Sequence, residues 1–358
     1  MSLPRPPLPP DIAARDALIR NEVKVSKELN SQHRAVIFTV AKRYVEVTDL
    51  ANYVRAVCPR YDLEFVHRWC DQGHCTVDGA LARGDQSLIT GQKVVLLVPL
   101  PPPDPMYVVP PLRFVWCDEH LAIVDKPPGH LAHQAGAIMT GTLLNQLQDW
   151  ALANGRDPRE VRLVNRIDRD TSGIVLVSWQ LAAHVGLSRA LETRALHKEY
   201  LALCHGCPAP RDGDWCEPIG PGDPSSIAHV VRDDGKASHT EYHVLESIDG
   251  PAGPFSLLRL VLHTGRQHQI RIHASHHGCP LIGDWVYGTA CAELSGQALH
   301  AAALAGAHPI TGEAMRWEAP LPAVFADLWQ RMKSGGQPTP CPLNPVQAGK
   351  LGLPANLQ

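Results

Sequence analysis

The sequence predicts an α+β protein: a mixed, largely antiparallel sheet with a central cleft, preceded by a smaller N-terminal α/β module. Three observations carry this expectation. Short apolar, β-branched runs alternate with helical stretches but lack the regular spacing of repeated βαβ units. A stiff proline-rich stretch, Leu100-Pro-Pro-Pro-Asp-Pro followed by Val109-Pro-Pro, divides the chain. With 358 residues and 44% hydrophobic content, the chain can bury a large core and form more than one domain.

Residues 1–47 are proline-rich and then charged, and read as an extended segment, partly disordered. Thr48-Asp49 is an N-cap signal for a helix through Val57; Asp62 to Asp71 reads as a second helix, stopped by Gly73. Cys75-Thr76-Val77-Asp78-Gly79 suggests a strand and tight turn, and Val94 to Val98 a closing strand. This module occupies 48–100, with residues 101–111 as linker. In the larger domain, 112–333, Leu121 to Val124, Ile174 to Val177, Tyr200 to Cys204, Ser238 to Val244 and Ser256 to His263 read as strands. Leu143 to Ala153 and Ala182 to Leu191 read as helices. Composition marks 334–358 as a flexible tail.

Ten cysteines at irregular spacing argue for reduced thiols rather than a disulfide framework. Cys204-His205-Gly206-Cys207, and His67, Cys70, His74 and Cys75, have the gaps of zinc half-sites, but neither completes a second pair. No run approaches the roughly 18 apolar residues of a membrane span, and the first ten residues lack the apolar core of a signal peptide, so the cytoplasm is the expected compartment. Thirty-three Lys and Arg against 36 Asp and Glu give a net charge of −3 and no global sign of nucleic-acid binding. Locally the picture differs: Pro254 to His277 holds Arg259, Arg266, Arg271 and five histidines with no acidic residue. That window is either a positive field for phosphate or a histidine-rich strand with solvated arginines.

The most chemically suggestive stretch is Val164-Asn-Arg-Ile-Asp-Arg-Asp-Thr-Ser-Gly-Ile-Val-Leu-Val177, which sets Asp168 between two arginines on the loop entering an apolar strand. A carboxylate there is anionic at neutral pH, so it can attack carbon or take a proton but cannot act as an acid. The plain alternative is a surface Asp paired with Arg166 or Arg169.

With four further segments, this stretch resembles in order the RluA family of RNA pseudouridine synthases, over about residues 112–330. The segments are Val124-Asp-Lys-Pro-Pro-Gly129, Lys198-Glu-Tyr-Leu-Ala-Leu203, His263-Thr-Gly-Arg-Gln-His-Gln-Ile-Arg-Ile-His273 and Gly278-Cys-Pro-Leu-Ile-Gly-Asp-Trp-Val-Tyr-Gly288. Leu299-His-Ala301 with His308-Pro-Ile-Thr-Gly312 adds another. One departure is Asn165, where the family usually has a histidine; that position orients the loop rather than doing chemistry. The resemblance implies conversion of uridine in RNA to pseudouridine, without metal or organic cofactor. It makes Asp168 the catalytic carboxylate, as nucleophile or as the base of an elimination, Tyr200 the aromatic that stacks on the uracil, and Arg271 the partner of Asp168. Arg166 corresponds to the residue that fills the stack left by a flipped nucleotide. Arg266 and His268 are then expected to grip phosphate, and Gln269 to face the base or the fold, with Ile270 and Ile272 alternating towards the core. The 48–100 module resembles a degenerate alpha-L RNA-binding motif, although Asp62 and Glu64 stand where RNA-binding versions are basic. Expected partners are ribosomal RNA first and transfer RNA second, with the protein monomeric and no membrane contact.

Two other function classes compete. Asp168 and Asp170 could be a glycosidase carboxylate pair, but strand residues two apart lie only about 6 to 7 Å apart on one face, and such acids normally come from separate elements. A non-catalytic RNA-binding or ribosome-assembly protein on the same fold is the other; it has no physical need of a pinned carboxylate beside an aromatic platform.

Overall fold

A computed structural model describes residues 25–29, 33–41, 49–58, 62–99, 109–133, 141–223, 226–251, 253–343 and 347. The chain divides into two compact units, residues 1–103 and 104–358. Among the described residues no helix is long and apolar enough to cross a membrane, and no disulfide joins any of the ten cysteines.

In the first unit, β1 (Val25–Leu29), β2 (His33–Thr39), β3 (Cys75–Val77), β4 (Ala80–Leu81) and β5 (Lys93–Pro99) form one antiparallel sheet in the order β1-β2-β5-β3-β4. Helices α1 (Leu50–Val57) and α2 (Leu63–Asp71) start at Asp49 and Asp62, whose carboxylates accept from the backbone N–H groups of Asn52 and Phe65 at 2.8 and 2.7 Å. Val36, Phe38, Leu50, Tyr53, Val66, Val94 and Leu96 close a core of their own. β1 and β2, which fall within the expected extended segment 1–47, join the sheet of the module expected over 48–100. Lys27, Glu28 and Arg34 mask the period-two pattern there, and the register comes from β5, some sixty residues away. Thr48 and the expected 101–108 part of the linker lie outside the described residues.

The second unit is built on a ten-stranded sheet of mixed, largely antiparallel strands. Its strands are β6 (Phe114–Cys117), β7 (Leu121–Lys126), β8 (Arg162–Leu163), β9 (Ser172–Ser178), β10 (His197–His205) and β11 (Asp212–Trp215), then β14 (Thr240–Ile248), β15 (Phe255–Leu262), β16 (Leu299–Ala307) and β17 (Ala314–Glu318). A separate small hairpin joins β12 (Ile219–Pro221) to β13 (His229–Val231). The sheet order is β11-β14-β15-β10-β16-β9-β7-β6, with β17 on β16 and β8 on β9. Among the described residues, only the β9–β16 pairing is parallel. Every residue of β9 is buried, as a central strand covered on both faces requires.

Helices α3 (Leu143–Ala153) and α4 (Leu181–Glu192) contribute Leu143, Leu147, Ala151 and Leu187 to the main core. α6 (Ala323–Lys333) packs Phe325, Leu328, Trp329 and Met332 against Leu203 and Phe255. Two further expectations are corrected. Gln269–His276 is a helix, α5, rather than an alternating strand: Ile270 and Ile272 are both buried because residues 269–274 are covered all round. And the tail is not loose from residue 334, since Ala292 donates to the Thr339 carbonyl at 2.8 Å and Cys341 to the Ala290 carbonyl at 3.1 Å. Composition alone could not show that those backbone groups find partners in a distant loop.

Candidate active site

Asp168 sits on the loop between β8 and β9, and that loop is tied at several points. The Asn165 side chain accepts from the Leu176 N–H at 2.7 Å and donates to the Ile174 carbonyl at 3.4 Å, acting as a short extra strand against β9. Lys126, at the end of β7 and fully buried, donates to the carbonyls of Pro127, His130 and Arg169 at 2.9, 2.8 and 2.8 Å. Burial lowers its ammonium to about 7, and the negative charges of Asp170 and then Asp168 oppose that fall. The Thr171 N–H closes the turn onto the Asp168 carbonyl at 3.2 Å. Gly173 adopts φ +103°, and a Cβ there would stand 2.2 Å from the Ala301 carbonyl oxygen, so only glycine lets β9 approach β16 closely.

The flanking arginines are not the partners of Asp168. Arg169 donates to the Gly129 carbonyl at 3.1 Å, and Arg166 is exposed at the cavity wall. The partner is Arg271 on α5, whose Nη1 donates to Asp168 Oδ2 at 3.1 Å. Its Nε and Nη2 make a bidentate pair with Asp284 at 2.7 and 2.8 Å, and Asp284 also accepts from the Val286 and Tyr287 N–H groups. Arg271 is 4% exposed and Asp284 0%. Burial works against the guanidinium charge, but Asp284 and then Asp168 outweigh it and hold Arg271 protonated. Oδ2 of Asp168 is thereby occupied, whereas Oδ1 accepts from no group among the described residues.

Asp168 lines a cavity of about 400 Å³ whose wall includes Asn165, Arg166, Thr171, Lys198, Tyr200, His263, Arg266, His268, Gln269, Arg271 and Leu299. Tyr200, from β10, is 6% exposed; burial and then the Asp168 charge raise its phenol well above the ordinary range, so it stays neutral. Thus Asp168, Tyr200 and Arg271, distant in sequence, meet at one wall.

The expected phosphate ligands divide. Arg266 is exposed, its Nε held by the Ala237 carbonyl at 2.9 Å. His268 lines the cavity at the N-cap position of α5 with φ +56°; its side chain is only 10% exposed, and burial pushes its imidazole down to about 4. Burial thus favours the uncharged ring at neutral pH. Tyr287 Oη accepts from the His229 N–H at 2.8 Å and can donate to His268 Nδ1 at 2.8 Å, which leaves Nε2 as the protonated nitrogen, 4.0 Å from Asp168 Oδ2. Gln269, expected to face either the base or the fold, is bonded into the fold. Its amide accepts from Thr264 and the Arg266 N–H and donates to the His239 carbonyl and Thr240, so it shapes the loop rather than reading a base.

The positive charge in residues 254–277 is met in part by acids from elsewhere in the chain, one on β14, one on the loop after β11 and one in a turn. Glu241 takes His263, Glu217 takes His277, and Asp284 takes Arg271. Asp170, the second member of the hypothetical glycosidase pair, lines no part of the cavity. It is buried against Gly296 and Trp285, and that burial raises its carboxyl. Among the described residues the cluster with metal-ligand spacing is Glu217, His276 and His277, none of which lines the cavity. Sequence reading missed Asp284, Lys126, Tyr287 and Lys198 as site residues, although each stands inside a quoted segment.

Comparison with known proteins fits this geometry. Residues 120–276 match the family described as RNA pseudouridylate synthase. The chain is 35% identical over 277 residues to YlyB of Bacillus subtilis, described as an uncharacterised RNA pseudouridine synthase, covering 76% of this chain and 89% of that one. It is also 35% identical over 286 residues to the ribosomal large subunit pseudouridine synthase D of Pseudomonas aeruginosa, covering 76% and 87%. Among solved structures, human RNA pseudouridylate synthase domain containing 1 superposes with a TM-score of 0.50 at 25% identity, over 66% of this chain and 99% of that one.

Proposed function

Because this chain belongs to the RluA family of RNA pseudouridine synthases, and is therefore an isomerase acting on RNA, we propose that it converts specific uridines of ribosomal RNA to pseudouridine with Asp168 as the catalytic carboxylate. The observation that carries the reading is the one-sided constraint on Asp168: Arg271 holds Oδ2 at 3.1 Å, and Oδ1 is left for the substrate. A flipped uridine in the cavity would present its ribose to that oxygen and its ring to Tyr200. The bond from C1′ of the ribose to N1 of the ring breaks and one from C1′ to C5 forms; the proton on C5 leaves and N1 gains one, so the product is an isomer of the uridine. Oδ1 serves equally as nucleophile at C1′ or as base towards a ribose proton. Stacking on Tyr200, worth about 1 to 3 kcal/mol, favours rotation of the detached uracil in place over its escape.

Ribosomal RNA is the favoured substrate because the relatives named for a substrate are large-subunit rRNA enzymes. Transfer RNA is the second choice. Pseudouridine mapping of total RNA from cells lacking the protein, complemented by wild type or by Asp168→Asn, tests both parts. Sites that vanish and return only with wild type identify catalyst and target together; sites restored by Asp168→Asn would remove Asp168 from the chemistry.

A further inference from the structure

Lys198 is a lysine in the cavity wall with no hydrogen-bond or ion-pair partner among the described residues. It lies on β10, two residues before Tyr200, and both side chains line the cavity. Its ammonium rests against Gly265, 3.8 Å from where a Cβ would stand. The neighbouring acid in sequence, Glu199, is engaged elsewhere, with Arg316 at 2.7 Å and Arg259 at 4.0 Å. Glu192 lines the cavity but makes no ion pair with Lys198, and among the described residues no carboxylate or carbonyl accepts from it. The contrast with the other buried cations is informative. Lys126 is surrounded by three carbonyls and Arg271 by two carboxylates. Lys198 alone among these three is left without an acceptor, and burial lowers its ammonium with no opposing charge. A largely buried ammonium without an anion costs free energy unless a ligand supplies one.

From this placement we infer that Lys198 binds a phosphodiester of the nucleotide whose base enters the cavity, with exposed Arg166 and Arg266 on the same wall. The inference rests on the proposed function and names a residue that positions the substrate rather than one that reacts. A lysine suits the task as a point charge that follows a phosphate through rotation of a flipped nucleotide.

The test compares wild type with Lys198→Met, which keeps the apolar stem, and Lys198→Arg, which keeps the charge. Binding of a short single-stranded oligouridylate is measured across salt concentrations, and KM and kcat are measured on ribosomal RNA. Loss of one phosphate contact should lower the slope of log K against log salt by about 0.7 in Lys198→Met. KM should rise about tenfold, with kcat little changed and the slope restored in Lys198→Arg. A wild-type slope in Lys198→Met, or a fall in kcat with slope and KM unchanged, overturns the inference. Should Lys198→Met not fold, Lys198→Gln is read by the same criteria. Absence of wild-type turnover would sink the catalytic reading instead, while the slope comparison still decides the role of Lys198.

Discussion

Asp284 shows how far a residue's role depends on burial. It is fully enclosed, contacts no part of the cavity, and fixes two of the three guanidinium nitrogens of Arg271. Asp284→Asn leaves a buried cation undercompensated, so unfolding free energy should fall by about 3 to 5 kcal/mol in denaturant titration, with turnover lost because Arg271 no longer aims Asp168. His268 makes a pH prediction. Its imidazole titrates near 4 in the folded protein, chiefly through burial, and near 6.5 when unfolded. Between those values the unfolded chain binds more protons, so stability present above pH 6.5 is lost as pH falls towards 4. His268→Gln should flatten that part of the stability–pH curve relative to wild type; an unchanged curve would show that the ring is not buried neutral.

At the scale of elements, the approach of β9 to β16 is the critical joint, because it places the loop of Asp168 against the sheet that carries Tyr200. Gly173→Ala would meet the Ala301 carbonyl at 2.2 Å and require an alanine at φ +103°. We expect a loss of about 2 kcal/mol or more, read as a lower denaturation midpoint, with turnover reduced alongside it. Elements whose signals are local were legible beforehand, α1 and α2 through Asp49 and Asp62; α3 was read as Leu143 to Ala153, and the structure adds its capping box of Thr142 with Asn145. α5 was not. Ile270 and Ile272 invite a strand reading, whereas a helix buried on all sides carries no amphipathic stripe to betray it.

On the scale of the whole molecule, the two units close separate cores, one over Val36, Leu50 and Val94 and the other over Val124, Leu176 and Leu260. All of Asp168, Tyr200, Arg271 and Lys198 belong to residues 104–358. A chain lacking residues 1–103 should therefore keep kcat on a short target RNA, and any contribution of the N-terminal unit to RNA capture should appear as a higher KM on intact ribosomal RNA. Loss of kcat in that deletion would mean that the first unit completes the site.

The sequence by itself determined the element types with local signals, the α+β class and, through ordered motifs, the family, whose resemblance pointed to Asp168, Tyr200 and Arg271. Those signals survive in one dimension because caps, turns and periodicity act over a few residues. Only the tertiary structure decided which charge meets which. The resemblance to the family implied that Asp168 pairs with Arg271, 103 positions away, and the fold shows that bond in place of one to Arg166 or Arg169 beside it. Likewise, His263 and His277 lie against Glu241 and Glu217 from elsewhere in the chain, Gln269 is turned into the fold, and Lys198 has no ion-pair partner among the described residues. Electrostatic pairing and desolvation depend on distance and burial in space, and neither quantity is carried by spacing along the chain.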